Sequence, residues 1–299
     1  MKSYENLKAK SVSIEKVRDY WKGKNIPQIW YSDIEPGTVP YYNNVRKQRF
    51  EFYYPYLKDS AEFQYHKDEK VLEVGVGMGT DIIEYARYGA KVYGIDLGAD
   101  QIEITKDMFQ KLNLSYEDLK VASAEKLPYE NNYFDFVYSF GVIHHTPDIN
   151  SAVNEIHRVL KPGGRAVIMI YARGWKHYIK RCFIHGILKM KIFKYNFDWQ
   201  KVYNEVSEVN GGSPLTQVLT RRQVKKLFKN FYIESIEKKR LGEFFEYKPY
   251  NTVKAPNFIL NLFSLFGLEG LFGENFLIKV QKSNSKTKGK IIDVLWKHY

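Results

Sequence analysis

From Lys70 to Tyr171 the chain repeats one pattern: a short apolar run, then a stretch whose apolar positions recur at helical spacing. KVLEV, residues 70–74, predicts a buried strand. Gly79 to Tyr88 predicts a helix ended by Gly89. KVYGID predicts a second strand, and Asp100 to Leu112 a second helix. A third strand is expected near Leu119 to Ala122, and a fourth over FDFVYSF. A helix over Ile149–Leu160, stopped by KPGG, leads to a fifth strand, RAVIMIY. Strands alternating with helices imply a doubly wound, mostly parallel α/β sheet with right-handed crossovers.

Outside that stretch the rhythm changes. Before residue 68, Ser13 is placed to cap a helix running to Trp21, and a second helix is expected from about Tyr42 to Leu57. Pro36, Gly37 and Pro40 separate the two. After Tyr171 a basic, aromatic stretch from Trp175 to Phe197 reads as helical. Its Ile179, Phe183, Ile187 and Met190 recur at helical spacing, as for a helix packing its apolar side on the protein and covering a site. Thr220 caps RRQVKKLF; YIESIEKKR and NFLIKVQKS read as sixth and seventh strands. The apolar segment 258–272 between them is expected to pack as a helix, with self-association or membrane contact as its other use. The polar tail from Lys282 to Lys290 has the composition of a disordered segment.

Composition narrows the class. Of 299 residues, 44% are hydrophobic and 27% charged, as in a globular protein with a substantial core. No apolar run reaches the length of a membrane span. The polar start MKSYENLKAK does not read as a signal peptide, and the lone Cys182 cannot form an internal disulfide. Both favour a reducing, cytoplasmic setting. The net charge of +12 suits an acidic partner: nucleic acid, an anionic membrane surface, or an anionic peptide or small molecule. Lysines spread through the chain weaken the nucleic-acid reading, and no stable nucleic-acid complex is expected. Oligomeric state is not legible.

Chemistry concentrates in VLEVGVGMGTD, residues 71–81. A strand runs into Gly75, Gly77 and Gly79 and a helix follows, so a ligand can approach the backbone closely. A dinucleotide turn has G-x-G-x-x-G, with a pyrophosphate on the helix N-terminus. Here the third glycine comes one residue early, and Glu73 would repel a pyrophosphate while suiting an amino-acid ammonium group. Asp96 ends the second strand 21 residues after Gly75, where a carboxylate can accept from both ribose hydroxyls. The site suits a nucleoside joined to an amino acid.

LEVGVGMG, YGIDLGADQIEI, SAEKLPYENNYFDFVYSFGVIHH and EIHRVLKPGGRAVIMIY resemble, in order and spacing, the motifs of class I S-adenosylmethionine-dependent methyltransferases, over roughly residues 65 to 172. That resemblance implies a seven-stranded Rossmann-like sheet and S-adenosylmethionine as cofactor. It implies that Glu73, Gly75 and Gly77 line the methionine portion and that Asp96 holds the ribose. Leu97 would lie on an adenine face, Ala124 and Glu125 beside its edge, and Phe140 would present a carbonyl. Ser123 departs from the pattern: many relatives carry an aspartate there, and a hydroxyl accepts from the adenine amino group more weakly. The implied organisation is an N-terminal helical lid (1–68), a cofactor-binding core (69–172), a helical acceptor-site lid (173–219), a sheet-completing part (220–283) and a basic tail (284–299).

Methyl transfer from a sulfonium is an in-line displacement, so the protein chiefly aligns the acceptor. A hydroxyl acceptor must lose a proton, which His144 or His145, just after the fourth strand, is placed to take. A carboxylate is already ionised, with a pKa of about 3.5, and needs cationic clamps. Arg173, Lys176, His177 and Arg181 follow the fifth strand; Tyr41, Tyr42, Arg46 and Arg49 could close the site from the N-terminal segment. Adjacent histidines alone are a poor metal signal, and no metal is expected.

WKGKNIP…PGTVPYYNNVRKQRF and YARGWKHYIKRCFIHG resemble a bacterial subgroup of small-molecule and natural-product methyltransferases, and are similar to enzymes that methylate the C-terminal carboxylate of ribosomally made peptides. The leading expectation is therefore a peptide carboxyl O-methyltransferase. A hydroxyl O-methyltransferase acting on a sugar or phenolic metabolite comes next, and a non-catalytic cofactor- or nucleic-acid-binding protein third.

Overall fold

The computed structural model describes residues 12–23, 34–174, 182–207, 212–239, 243–247, 251–254 and 273–283. Its strands are β1 (Lys70–Val74), β2 (Lys91–Asp96), β3 (Asp118–Val121), β4 (Phe134–Phe140), β5 (Leu160–Tyr171), β6 (Phe231–Lys239), β7 (Glu243–Tyr247), β8 (Asn251–Lys254) and β9 (Asn275–Lys282). Seven form one sheet in the order β3-β2-β1-β4-β5-β9-β6. All are parallel except β9, which lies antiparallel between β5 and β6. The order reverses between β1 and β4, which opens a crevice at the C-terminal strand ends. The doubly wound, mostly parallel seven-stranded sheet is the architecture the alternation implies. The small β7–β8 hairpin was not legible in it.

The helices are α1 (Ile14–Trp21), α2 (Val39–Lys47), α3 (Leu57–Ser60), α4 (Thr80–Arg87), α5 (Ala99–Lys111), α6 (Ile149–Val159), α7 (Lys191–Lys194), α8 (Trp199–Val206) and α9 (Arg221–Leu227). Alternate strand residues feed two layers, as a pleat requires. Leu72, Val74, Ile168 and Ile170 pack with Ile156 of α6 and Val224 of α9. Val71, Phe136, Tyr138 and Val167 pack with Ile82 of α4 and Phe109 of α5. Tyr42, Phe50, Leu57 and Phe63 join this second layer, so the described part of the N-terminal segment shares the core.

Two expectations change. The helix expected from Tyr42 to Leu57 instead starts at Val39 and ends at Lys47. Thr38 caps it, its hydroxyl accepting from the Tyr41 amide at 3.3 Å, and Pro40 sits in the first turn, where its missing N–H costs nothing. A wider turn over Gln48–Tyr53 follows. The second change concerns the apolar face after Tyr171. Cys182–Leu188 is a wide turn rather than a straight helix, and Met190 breaks the run at φ 53°. The wider repeat rotates the buried side onto Cys182, Gly186 and Ile192, leaving Phe183, Ile187 and Met190 exposed. Ile179, with Lys176, His177 and Arg181, lies outside the described residues, as do the expected apolar helix over 258–272 and the tail 284–299. No helix among the described residues is long and apolar enough to cross a membrane.

Candidate active site

A cavity of about 270 Å³ lies at the C-terminal strand edge, walled by Val74, Asp96, Phe140 and Tyr171 from the ends of β1, β2, β4 and β5. Its floor is the turn from β1 into α4. The amides of Gly75 and Val76 donate to the Ile95 carbonyl at 2.8 and 3.1 Å, tying that turn to β2. Gly75 has φ 87°, and a Cβ there would sit 2.2 Å from Val142. Gly77, at φ 55°, meets nothing within 4 Å where its Cβ would be, so its backbone opens onto the cavity.

Three acids surround that turn. Asp96 accepts from the Gly77 and Gly98 amides, each at 3.0 Å, with one carboxylate oxygen apiece. Burial raises its pKa and these amides oppose the rise; each oxygen keeps acceptor capacity for a diol. Glu73 is 3% exposed and its Oε2 has no hydrogen-bond partner. Burial, reinforced by the charge of Asp81, pushes its pKa well above the usual carboxylate range, and Arg49 only partly opposes this. A buried carboxylate oxygen without a donor is costly, and an ammonium group would satisfy it. Asp81 is satisfied within the protein: Arg49 grips it through two hydrogen bonds of 2.5 Å, and the Tyr138 hydroxyl donates to it at 2.9 Å. Burial works against the Arg49 charge, but Asp81 more than offsets that and holds its pKa above the ordinary value.

The residues expected beside an adenine divide. Leu97 and Ala124 line the cavity. The Ser123 hydroxyl accepts from the Glu125 amide at 3.1 Å, and Glu125 accepts from the Asp148 amide at 2.8 Å, so these two stabilise the start of α6 beside the lining. Phe140 lines the cavity with the Arg49 guanidinium 4.6 Å from its ring centre.

His144 and His145 sit on a short turn, Ile143–His145, and only His145 is part of the lining. Its Nδ1 lies 2.8 Å from the Leu215 carbonyl and 3.3 Å from the Thr216 hydroxyl. Burial lowers its pKa to about 4, against a weaker opposing effect of the Leu215 carbonyl. The imidazole is therefore neutral at pH 7. Trp21 meets its edge with ring centres 5.1 Å apart. His144 is fully buried, its ring 4.2 Å from both His145 and Tyr171.

Other residues expected near the acceptor stand elsewhere. Arg46 pairs with Glu84 of α4 at 2.7 and 2.6 Å, and the Tyr42 hydroxyl donates to the Thr80 carbonyl at 3.4 Å. Tyr41 packs with Val45 and Met78. All three brace α4 and α2 behind the cavity wall. Arg173 is exposed and lies outside the lining; its backbone amide donates to Leu219 at 2.7 Å. Trp21, Tyr54, Gln101, Thr146, Met169 and Tyr171 line the cavity without having been singled out. Gln101 donates to the Trp21 carbonyl at 2.9 Å, fastening α1 over the mouth. Of the missed residues, only Asp81 carried a signal, as the acid in the first helical turn after the glycines. No group of three metal-ligating side chains occurs among the described residues.

Residues 72–168 match the family model described as a methyltransferase domain. A sterol 4-C-methyltransferase of Caenorhabditis elegans is 31% identical over 98 residues, 32% of this chain and 29% of that protein. A demethylmenaquinone methyltransferase of Oceanobacillus iheyensis is 28% identical over 183 residues, 57% of this chain and 72% of that one. The chain spans 25–52% of the length of the first three curated relatives it matches. Among solved structures, a SAM-dependent methyltransferase from Methanosarcina mazei superposes with a TM-score of 0.51 at 20% identity, covering 74% of this chain and 95% of its own. That likeness supports the fold.

Proposed function

The chain belongs, through residues 72–168, to the class I S-adenosylmethionine-dependent methyltransferases, and from that premise we propose that it methylates a phenolic hydroxyl on a small, largely apolar molecule. The cofactor, when bound, supplies a methyl group already activated for in-line transfer. The residues present fit it: the unpartnered Glu73 oxygen suits its ammonium group, Asp96 its ribose hydroxyls, and the open face of Gly77 its close approach. Leu97 and Ala124 would flank its base.

The observation that carries the acceptor reading is the hydrogen bond from His145 Nδ1 to the Leu215 carbonyl. A carbonyl only accepts, so Nδ1 holds the imidazole proton and Nε2 is left with its lone pair. Such a ring can take a hydroxyl proton as the oxygen–methyl bond forms. Its low pKa makes it a weak base, which favours a phenol, at a pKa of about 10, over a less acidic sugar hydroxyl. The apolar walls, Val17, Trp21, Val142, Met169 and Tyr171, favour the same choice.

A peptide carboxylate would call for a cationic clamp. Among the described residues of the expected clamp, Arg49 lines the cavity but is already neutralised by Asp81, and Arg173 is exposed outside it. The test is a panel of phenols, sugars and free-acid peptides offered with labelled cofactor to the wild type and His145→Ala. Phenol methylation that His145→Ala depresses supports the reading. Methylation of a free-acid peptide but not its amidated form would overturn it.

A further inference from the structure

Among the described residues, the exposed side of the segment 182–199 is a feature that the methyltransferase chemistry leaves unused. Phe183, Ile187, Leu188, Met190, Phe193 and Phe197 are each 50–65% exposed. Singly exposed apolar residues are ordinary, but six within fifteen positions mark an interaction surface. The segment is well seated beneath: Ile192, Val202 and Tyr203 are buried, and Gly186 brings the Trp199 ring so close that a Cβ would lie 2.4 Å from it. The apolar side chains therefore point outward from a packed layer.

Charge identifies what they meet. Among the described residues 182–207, Lys189, Lys191, Lys194 and Lys201 stand against Asp198 and Glu205, a net charge of +2. Lys191 and Lys194 share a single carboxylate, Glu205, at 3.1 and 3.5 Å, so their neighbourhood stays positive. A second copy docking through the same face would set these charges against themselves. A nucleic acid would answer the lysines but would leave the aliphatic Ile187, Leu188 and Met190 against phosphates. An anionic lipid surface satisfies both, with head groups for the lysines and the acyl boundary for the apolar side chains. We propose that this face docks the protein on an anionic bilayer surface. It lies one side-chain layer from the site, because Cys182 and Tyr203 pack against Tyr171, which lines the cavity.

The experiment is sedimentation of the full chain with vesicles of phosphatidylcholine alone or of phosphatidylcholine mixed with phosphatidylglycerol. Binding should require the anionic lipid and weaken with salt. Leu188→Ser combined with Phe193→Ser and Phe197→Ser should cost roughly tenfold or more in partitioning, with melting temperature and S-adenosylhomocysteine binding retained. Lys189→Gln with Lys194→Gln, which leaves the apolar side chains in place, should cost roughly fivefold per lysine. The proposal is overturned if the wild type ignores anionic vesicles, or if both variants bind them as the wild type does. It is also overturned if light scattering shows a wild-type dimer that the serine variant dissolves, or if single-stranded RNA is retained where vesicles are not.

Discussion

His145 donates its Nδ1 proton to the carbonyl of Leu215 across 2.8 Å, joining residues 70 positions apart in the chain. The contact belongs to a strap. The Gln217 amide donates to the His144 carbonyl at 2.9 Å, its side chain donates to the Thr146 carbonyl at 2.8 Å, and Leu219 donates to Tyr171 at 3.1 Å. The strap holds the histidine turn against the end of β5 and sets the tautomer of the ring that faces the cavity. If Nε2 serves as the base, His145→Ala lowers kcat on a phenolic acceptor about a hundredfold and leaves S-adenosylhomocysteine affinity, read by calorimetry, within a factor of two or so. A comparable loss of cofactor affinity would instead make His145 a cofactor-pocket residue.

The same ring makes stability depend on pH. Its pKa in the folded protein is about 4, below the ordinary 6.5, because burial disfavours the charged form. As pH falls below 6.5 the unfolded chain takes up the proton first, so stability is lost between pH 6.5 and 4 and is unaffected by this group above that window. The full difference corresponds to roughly 3 kcal/mol. Urea denaturation of wild type and His145→Asn at pH 7.5 and pH 5 isolates the effect, since the remaining titrations are common to both. His145→Asn should be the less acid-sensitive of the two, and equal sensitivity would refute the buried neutral ring.

Glu73 runs the opposite way. Its folded pKa is raised, so its ionised form costs stability once pH rises above the ordinary carboxylate range. Glu73→Gln removes that cost and should raise the melting temperature of the cofactor-free protein at pH 8 by roughly 2–4 °C. It should also weaken S-adenosylmethionine binding about tenfold or more, because a charge-assisted partner for the ammonium group is gone. Calorimetry and thermal melts on one preparation read both; a lower melting temperature with unchanged affinity would exclude the ammonium role.

Arg49 and Asp81 form a mostly buried pair, 20% and 3% exposed at their side chains. Arg49→Met leaves Asp81 facing Glu73 without a counter-charge, and should destabilise the protein by about 2–4 kcal/mol. Arg49→Met with Asp81→Leu should recover much of that loss, because no unpaired charge remains. A double-mutant cycle in denaturant with no coupling between the two would show that the pair does not bear on stability.

Read alone, the sequence determined the βαβ core. β1, β2, β4 and the second half of β5 are local apolar runs buried on both faces, and the turn after Val74 needs its glycines because Gly75, Gly77 and Gly79 all have positive φ and a Cβ at Gly75 would meet Val142. Glu73, Gly75, Gly77 and Asp96 were legible for the same reason: their spacing follows from strand length and turn geometry, which are local. The acceptor side was not local. Whether Arg46 or Arg49 reaches the cavity depends on the wide turn at Gln48–Tyr53 and on which acid of α4 each meets. Which histidine lines the cavity depends on the strap at residues 215–219. The outward face of Phe183 and Ile187 depends on a turn wider than the regular helix that periodicity assumes. Those were decided by tertiary packing, because a side chain's partner across the fold is set by the joint geometry of distant segments, and sequence spacing carries no record of it.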